Sequence, residues 1–333
     1  MRKSCFMAAG ALLAIAQSCN AAPVDRAASV QQKQWQPKGG TEVPLWPAGL
    51  AIAIPDMDDA GTPETIGHGS KSVAGRPWTY VGNVQRPTMT IYPPKGPNTH
   101  AALMVFPGGG YEVLAMDLEG SEICDWATRI GMTCVVLKYR VRQTWPLYEK
   151  GRGDDGRVLY QPPTPFLPLE DAQRAMGLLR QRAAGLGVDP HKIGVIGFSA
   201  GGHLVAAISN ANGRSYKAVD AADAFSARPD FAMPIYPGHL WAHHATDLYD
   251  YDPVRSDGPP TFIVQAEDDP TDDVRNSISY FLALKAAKVP VEMHVYAHGG
   301  HAFGLRPTDA PITRWPALAE TWLRTIGILP KAN

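Results

Sequence analysis

A charge imbalance is the first thing missing from this sequence. Its 333 residues carry 31 basic and 32 acidic side chains for a formal net charge of −1. With no basic block either, there is no electrostatic footprint for nucleic acid or an anionic lipid surface. Long hydrophobic runs are also scarce: Phe6–Ala16 is the longest near the N-terminus and is too short to span a bilayer. It follows Arg2 and Lys3 and precedes the small residues Ala21 and Ala22, the layout of a cleavable export signal. Residues 1–22 are therefore expected to be a signal peptide and the mature chain to be exported, periplasmic or secreted. A lipid anchor at Cys19 is the alternative, for which Ala16-Gln17-Ser18 is a poor match. Cysteine is sparse, at four residues. Once Cys5 and Cys19 leave with the signal, Cys124 and Cys134 remain; an oxidising compartment permits a bridge between them, but Cys124 sits in a helical pattern and Cys134 in the apolar strand Thr133–Leu137, where a buried free thiol is the ordinary outcome. Phosphate-cradling spacings, GxGxxG and GxxxxGK[ST], are absent.

What is present is organised around Lys192–His203, KIGVIGFSAGGH. A short apolar run without alternation suits a buried parallel strand, and it leads through Gly-Phe-Ser-Ala-Gly into a helical pattern. This is the G-x-S-x-G nucleophile elbow in its strand–turn–helix context, with Ser199 as candidate nucleophile. Gly197 and Gly201 leave room for strand and helix to pass closely, and the Ala200 N–H at the helix start is a candidate oxyanion donor. Upstream, the strand Ala101–Phe106 ends in Pro107-Gly108-Gly109-Gly110-Tyr111, where Gly109 and Gly110 are the candidates for the second donor.

Along the rest of the chain, Pro23–Pro44 reads as a flexible leader without a core of its own, and 45–333 as a single catalytic domain. Leu45–Gly75 shows no period. Thr88–Tyr92 alternates like an exposed-edge strand. Helical patterns at Glu119–Ile130, Leu169–Leu186 and from the acidic loop to Lys288 alternate with strands at Met132–Tyr139, Lys192–Phe198, Phe231–Tyr236, Thr261–Ala266 and Val291–Ala297. That alternation predicts an α/β architecture, a doubly wound, mostly parallel sheet with helices on both faces. The segment Arg140–Pro168 is too long for an ordinary connection and is expected to shape a cleft, with Trp145, Tyr148 and Tyr160 available for stacking. Tyr111, Trp145 and Tyr236 are the candidate substrate contacts. His239, His243 and His244 lie in a Gly/Pro/aromatic loop better read as solvated or cleft-lining than as a metal site.

A serine nucleophile needs a base held by a carboxylate. The order Ser, acid, His along the chain matches that requirement, and the base belongs to the loop after the last strand. His301, preceded by Gly299-Gly300, ranks ahead of His298. His203 and His294 read as structural. Asp269, fixed by Pro270, is the leading acid and Asp268 its alternative. Asp272 and Asp273 read as charges complementing the start of the next helix. Metal and cofactor are not required by this chemistry.

With those residues in place, about Met89 to Leu329 resembles the secreted carbohydrate-esterase branch of the α/β-hydrolases, the acetylxylan esterase and feruloyl esterase-like group related to dienelactone hydrolases. FPGGGY (Phe106–Tyr111), VLKYRV (Val136–Val141), GVDPHKIGVIGFSAGGHL (Gly187–Leu204), QAEDDP with VRNS (Gln265–Pro270, Val274–Ser277) and HVYAHGGHAFGL (His294–Leu305) carry the resemblance. It implies the α/β-hydrolase fold. It also implies Ser199, His301 and Asp269 as nucleophile, base and acid, and the loop at Gly109–Gly110 with Ala200 as oxyanion hole. The substrate it implies is an acylated polysaccharide or oligosaccharide. Asp272-Asp273 stands where the group usually carries a hydrophobic pair, and the Arg140–Pro168 insert is a second departure. A prolyl-oligopeptidase-like peptidase shares the elbow but is preceded by propeller repeats not seen here, and a non-catalytic carbohydrate-binding protein is the third reading.

Overall fold

The computed structural model describes residues 35–50, 63–142, 148–152, 158–161, 166–249 and 253–331, with side chains omitted between 143 and 165. Its centre is an eight-stranded sheet. In chain order the strands are β1 (Thr41–Pro44), β4 (Thr88–Tyr92), β5 (Ala102–Phe106), β7 (Thr133–Lys138), β10 (Ile193–Phe198), β11 (Ala232–Ile235), β12 (Thr261–Ala266) and β13 (Val291–Tyr296). They lie side by side as β1-β4-β7-β5-β10-β11-β12-β13. From β7 to β13 every pairing is parallel; β4 runs antiparallel to both β1 and β7. Strands β5, β7, β10 and β12 are buried at every residue, which is why their sequences run apolar without alternation.

Among the described residues, five α-helices cover the sheet: α1 (Glu122–Arg129), α2 (Leu167–Arg182), α3 (Ala200–Asn210), α4 (Arg275–Ala286) and α5 (Trp315–Thr325). Neighbouring residues of β12 identify the two layers, since successive side chains point to opposite faces. Phe262 packs on Trp322 of α5, while Ile263 joins Ala206 of α3 and Tyr280 and Leu284 of α4. Helix α1 shares the α5 layer through the Trp126–Trp315 ring contact, and α2 shares the layer of α3. This is the α/β-hydrolase fold. Smaller sheets flank it: an antiparallel trio of β2 (Thr65–His68), β3 (Thr79–Gly82) and β6 (Val113–Ala115), and a hairpin of β8 (Tyr148–Arg152) with β9 (Val158–Gln161) inside the long insert.

Three expectations need correction. The end of the flexible leader is part of the sheet: Thr41–Pro44 pairs antiparallel with Thr88–Ile91, and Leu45 is in the core. Four residues are too few to show a period, but hydrogen bonding to a ready strand needs none. For the same reason β4 is an interior strand, and β1 occupies the edge. Finally, Cys124 and Cys134 are bridged. Helix α1 packs on β7, bringing the two Cα atoms to 5.3 Å, within disulfide reach. A helical pattern and an apolar strand read separately hide that proximity.

Candidate active site

The elbow is built by close packing. Ser199 follows β10 with φ 52° and ψ −120°, a conformation that a serine holds only when its surroundings impose it. Imposition comes from the flanking glycines: a Cβ on Gly197 would run into the Gly201 carbonyl, and one on Gly201 into the Phe106 carbonyl. The chain therefore turns from strand to helix within one residue. Ser199 is thereby presented at the N-terminal end of α3, where helix amides and the positive dipole end face it.

His301 meets this hydroxyl from the loop after β13. Its Nε2 lies 3.1 Å from Ser199 Oγ, and its Nδ1 lies 2.8 Å from Asp269 Oδ2. Asp269 is pinned in turn. Its Oδ1 accepts the main-chain N–H groups of Thr271 and Asp272, and Gln265 Nε2 approaches Oδ2 at 3.4 Å. Burial works against the imidazolium of His301. The Asp269 hydrogen bond and the negative charges of Asp272, Asp269 and Glu119 outweigh it and hold the ring above the usual histidine value. Asp268, the alternative acid, does something else. It accepts the N–H groups of Gly299 and Gly300 and faces His298 Nδ1 at 3.2 Å, tying down the loop that carries His301. His298 is exposed on the far side of that contact.

The loop after β5 closes the other side. Gly109 (φ 130°), Gly110 (φ 65°) and Tyr111 (φ 62°) turn left-handed in succession. The Gly109 carbonyl accepts the N–H groups of Glu112 and Val113. Gly108 cannot supply the hole, because its N–H already donates to Glu119 Oε2 at 2.7 Å. Gly109 and Gly110 follow it in the turn beside Ser199, so these two remain the candidate donors with Ala200.

The aromatic candidates are placed differently from their expected roles. Tyr236 is fully buried: its hydroxyl donates to Glu119 Oε1 at 2.9 Å and its ring packs edge-on against His301 and Phe303. It supports the base from beneath and offers no surface to a substrate. Tyr111 is also buried, its hydroxyl 2.6 Å from His203 Nδ1 and its ring against Phe166 and His239. His203 is thus structural, as its helix position implies, and burial followed by the charge of His203 lowers His239 to about 3. Trp145 lies outside the described residues, and Tyr148 and Tyr160 are described only as backbone in β8 and β9.

Two acidic residues that sequence reasoning missed complete the site. Glu119 sits in a π-helical turn, Asp117–Ser121, and joins the glycine loop to Tyr236. Burial raises its carboxyl, against the pull of His301, the Tyr236 hydroxyl and the Gly108 N–H. Asp272 is the other. Helix α4 begins at Arg275, so Asp272 is not a charge at the helix start, and its carboxylate turns back towards the serine. Ser199 Oγ donates to its Oδ2 at 2.9 Å, and His301 Nε2 is 3.8 Å away. His301 and Asp272 keep 17% and 13% of their side-chain surface, whereas Asp269 keeps none. A molecule arriving at Ser199 therefore meets the first two and not the third. An acidic run ahead of a helix has a ready structural explanation, which is what concealed Asp272.

A hydroxyl, an imidazole and a carboxylate in this order, beside aligned amides, can carry out acyl transfer. Comparison with known proteins points the same way. Residues 168–324 match the model of the prolyl oligopeptidase family. The chain is 27% identical over 243 residues to an acetylxylan esterase of Xylanibacter ruminicola, covering 65% of this chain and 43% of that protein. It is 27% identical over 225 residues to endo-1,4-beta-xylanase B of Butyrivibrio fibrisolvens, covering 60% and 32%. It thus spans less than half the length of these curated relatives. Among solved structures it superposes on the acetyl ester-xyloside bifunctional hydrolase of Caldicellulosiruptor lactoaceticus with a TM-score of 0.66 and 29% identity, covering 87% of this chain and 97% of that one.

Proposed function

We propose that the chain is a serine carboxylic-ester hydrolase that removes acetyl groups, with feruloyl groups second, from plant cell-wall polysaccharide such as xylan. The observation that carries this is the Ser199–His301–Asp269 relay, 3.1 and 2.8 Å, at the elbow of an α/β-hydrolase sheet. Similarity to an acetylxylan esterase and to an acetyl ester-xyloside hydrolase supports the substrate class.

In the reaction, Ser199 Oγ bonds to the ester carbonyl carbon while its proton passes to His301 Nε2. Asp269 keeps Nδ1 protonated and stabilises the imidazolium. The carbonyl oxygen becomes an oxyanion, held by the N–H groups of Ala200 and of Gly109 or Gly110. Collapse breaks the bond to the alcohol oxygen, which takes the proton from His301 and leaves as the free sugar hydroxyl. Water then gives a proton to His301 and its hydroxide to the acyl carbon; the bond from that carbon to Ser199 Oγ breaks, Oγ takes the proton back from His301, and acetic acid leaves as acetate. No cofactor enters.

Acetate release from acetylated xylan, measured beside ferulate release from feruloylated arabinoxylan and cleavage of a proline-containing peptide, tests this reading. Acetate should dominate and should disappear in Ser199→Ala. Peptide cleavage without acetate would favour the alternative raised by the prolyl oligopeptidase match. A binding-only protein would release nothing. Export belongs to the same proposal, supported by the basic, apolar and small-residue order of residues 1–22. N-terminal sequencing of the protein recovered outside the cytoplasm should begin just after Ala22.

A further inference from the structure

Asp272 has no place in the relay, yet it touches the nucleophile. Its backbone is fixed on both sides: the N–H donates to Asp269 Oδ1, and the carbonyl accepts from Gln265 Nε2 at 2.7 Å. Its carboxylate lies against Gly238, where any Cβ would collide with it. Around it stand Ser199, His301, Asp269 and His203, with Glu119 across the site. Holding the serine hydroxyl hinders attack, because the proton must go to His301 Nε2. When it does, Asp272 Oδ2 loses its donor as an arriving alcohol group shuts out water. A buried acceptor left in that state is costly, and more so when charged.

The departing alcohol oxygen has to approach His301 Nε2 to be protonated, and Oδ2 lies 3.8 Å from that nitrogen. Neighbouring oxygens on a sugar ring are about one hydrogen-bond length apart. A hydroxyl on the carbon next to the acylated one is therefore within reach of Asp272 Oδ2. We propose that Asp272 is a specificity-determining residue that accepts a hydrogen bond from this free vicinal hydroxyl. The site then selects partly acylated sugars over fully acylated ones and over simple alkyl esters. This rests on the esterase reading above and goes beyond it by naming the substrate's second functional group.

The test is a ratio of kcat/KM values: a methyl xyloside monoacetate with a free neighbouring hydroxyl, against the same compound with that hydroxyl methylated. Wild type should favour the free hydroxyl by about 10- to 100-fold. Asp272→Val should bring the ratio to within about threefold of one. Asp272→Asn, which keeps an acceptor without the charge, should fall between and carries the test alone if the valine variant does not fold. A wild-type ratio near one, or a ratio unchanged in the variants, overturns the role of Asp272 while leaving the esterase in place. Hydrolysis of neither compound by wild type overturns the esterase reading, and this proposal with it.

Discussion

Three carboxylates, of Glu119, Asp269 and Asp272, act on the one imidazole of His301, and that crowding sets the pH behaviour of the site. His301 must be neutral to accept the serine proton, so turnover should rise with pH through a value above that of an ordinary histidine. Asp272 itself, pushed up by burial to about 6 against the pull of His301 and the Ser199 hydroxyl, is ionised throughout that rise. Its charge then favours the imidazolium. Replacing it with asparagine removes that charge, and the onset of kcat/KM should move to lower pH; an onset that stays put or moves up would contradict this assignment. Which acid partners His301 was open in the sequence between Asp268 and Asp269, two adjacent residues of the same type. Geometry separates them, because a one-residue step in a loop sends the two carboxylates to different partners.

At the level of elements, the site is a meeting of three loops, after β5, β12 and β13, with one strand–helix junction, and Glu119 helps to couple them. It binds Gly108 in the glycine loop and Tyr236 after β11, and Tyr236 lies under His301. Glu119→Gln can replace only part of this connection. It should lower kcat by about 10- to 100-fold, as small misplacements of reacting groups do, with KM changing far less. Steady-state kinetics on an acetylated substrate would reveal a purely structural role if only the melting temperature changed. The α1–β7 disulfide is a second link between elements. It closes a loop between residues 10 apart, and its removal in a Cys124→Ala/Cys134→Ala double variant should cost about 2–3 kcal/mol in denaturant unfolding. The strand–helix alternation was legible because buried parallel strands read as unbroken apolar runs, and Thr261–Ala266 has the predicted bounds; the antiparallel Thr88–Tyr92, read from its alternation, has them too. Tyr236 and Glu119 were not legible in their true roles. An aromatic after a strand and an acid in a helical pattern look the same whether they face solvent, a substrate or each other.

For the whole molecule, the sheet ends where the sequence seemed to offer nothing, at Thr41–Pro44. That short strand covers β4, whose pattern from Met89 to Ile91 is buried. A chain beginning at Leu45 would expose a long unpaired edge and should melt lower and self-associate in size-exclusion chromatography, whereas one beginning at Trp35 should behave as the intact chain does. The central claim concerns a single atom, Ser199 Oγ, at the junction of β10 and α3. It is tested most directly by exposing the protein to an organophosphonate ester and locating the adduct by peptide mass spectrometry. The account predicts stoichiometric modification of the peptide containing Ser199, with loss of acetate release in parallel and no adduct in Ser199→Ala. Modification at another residue, or full acetate release from the fully modified protein, would contradict it.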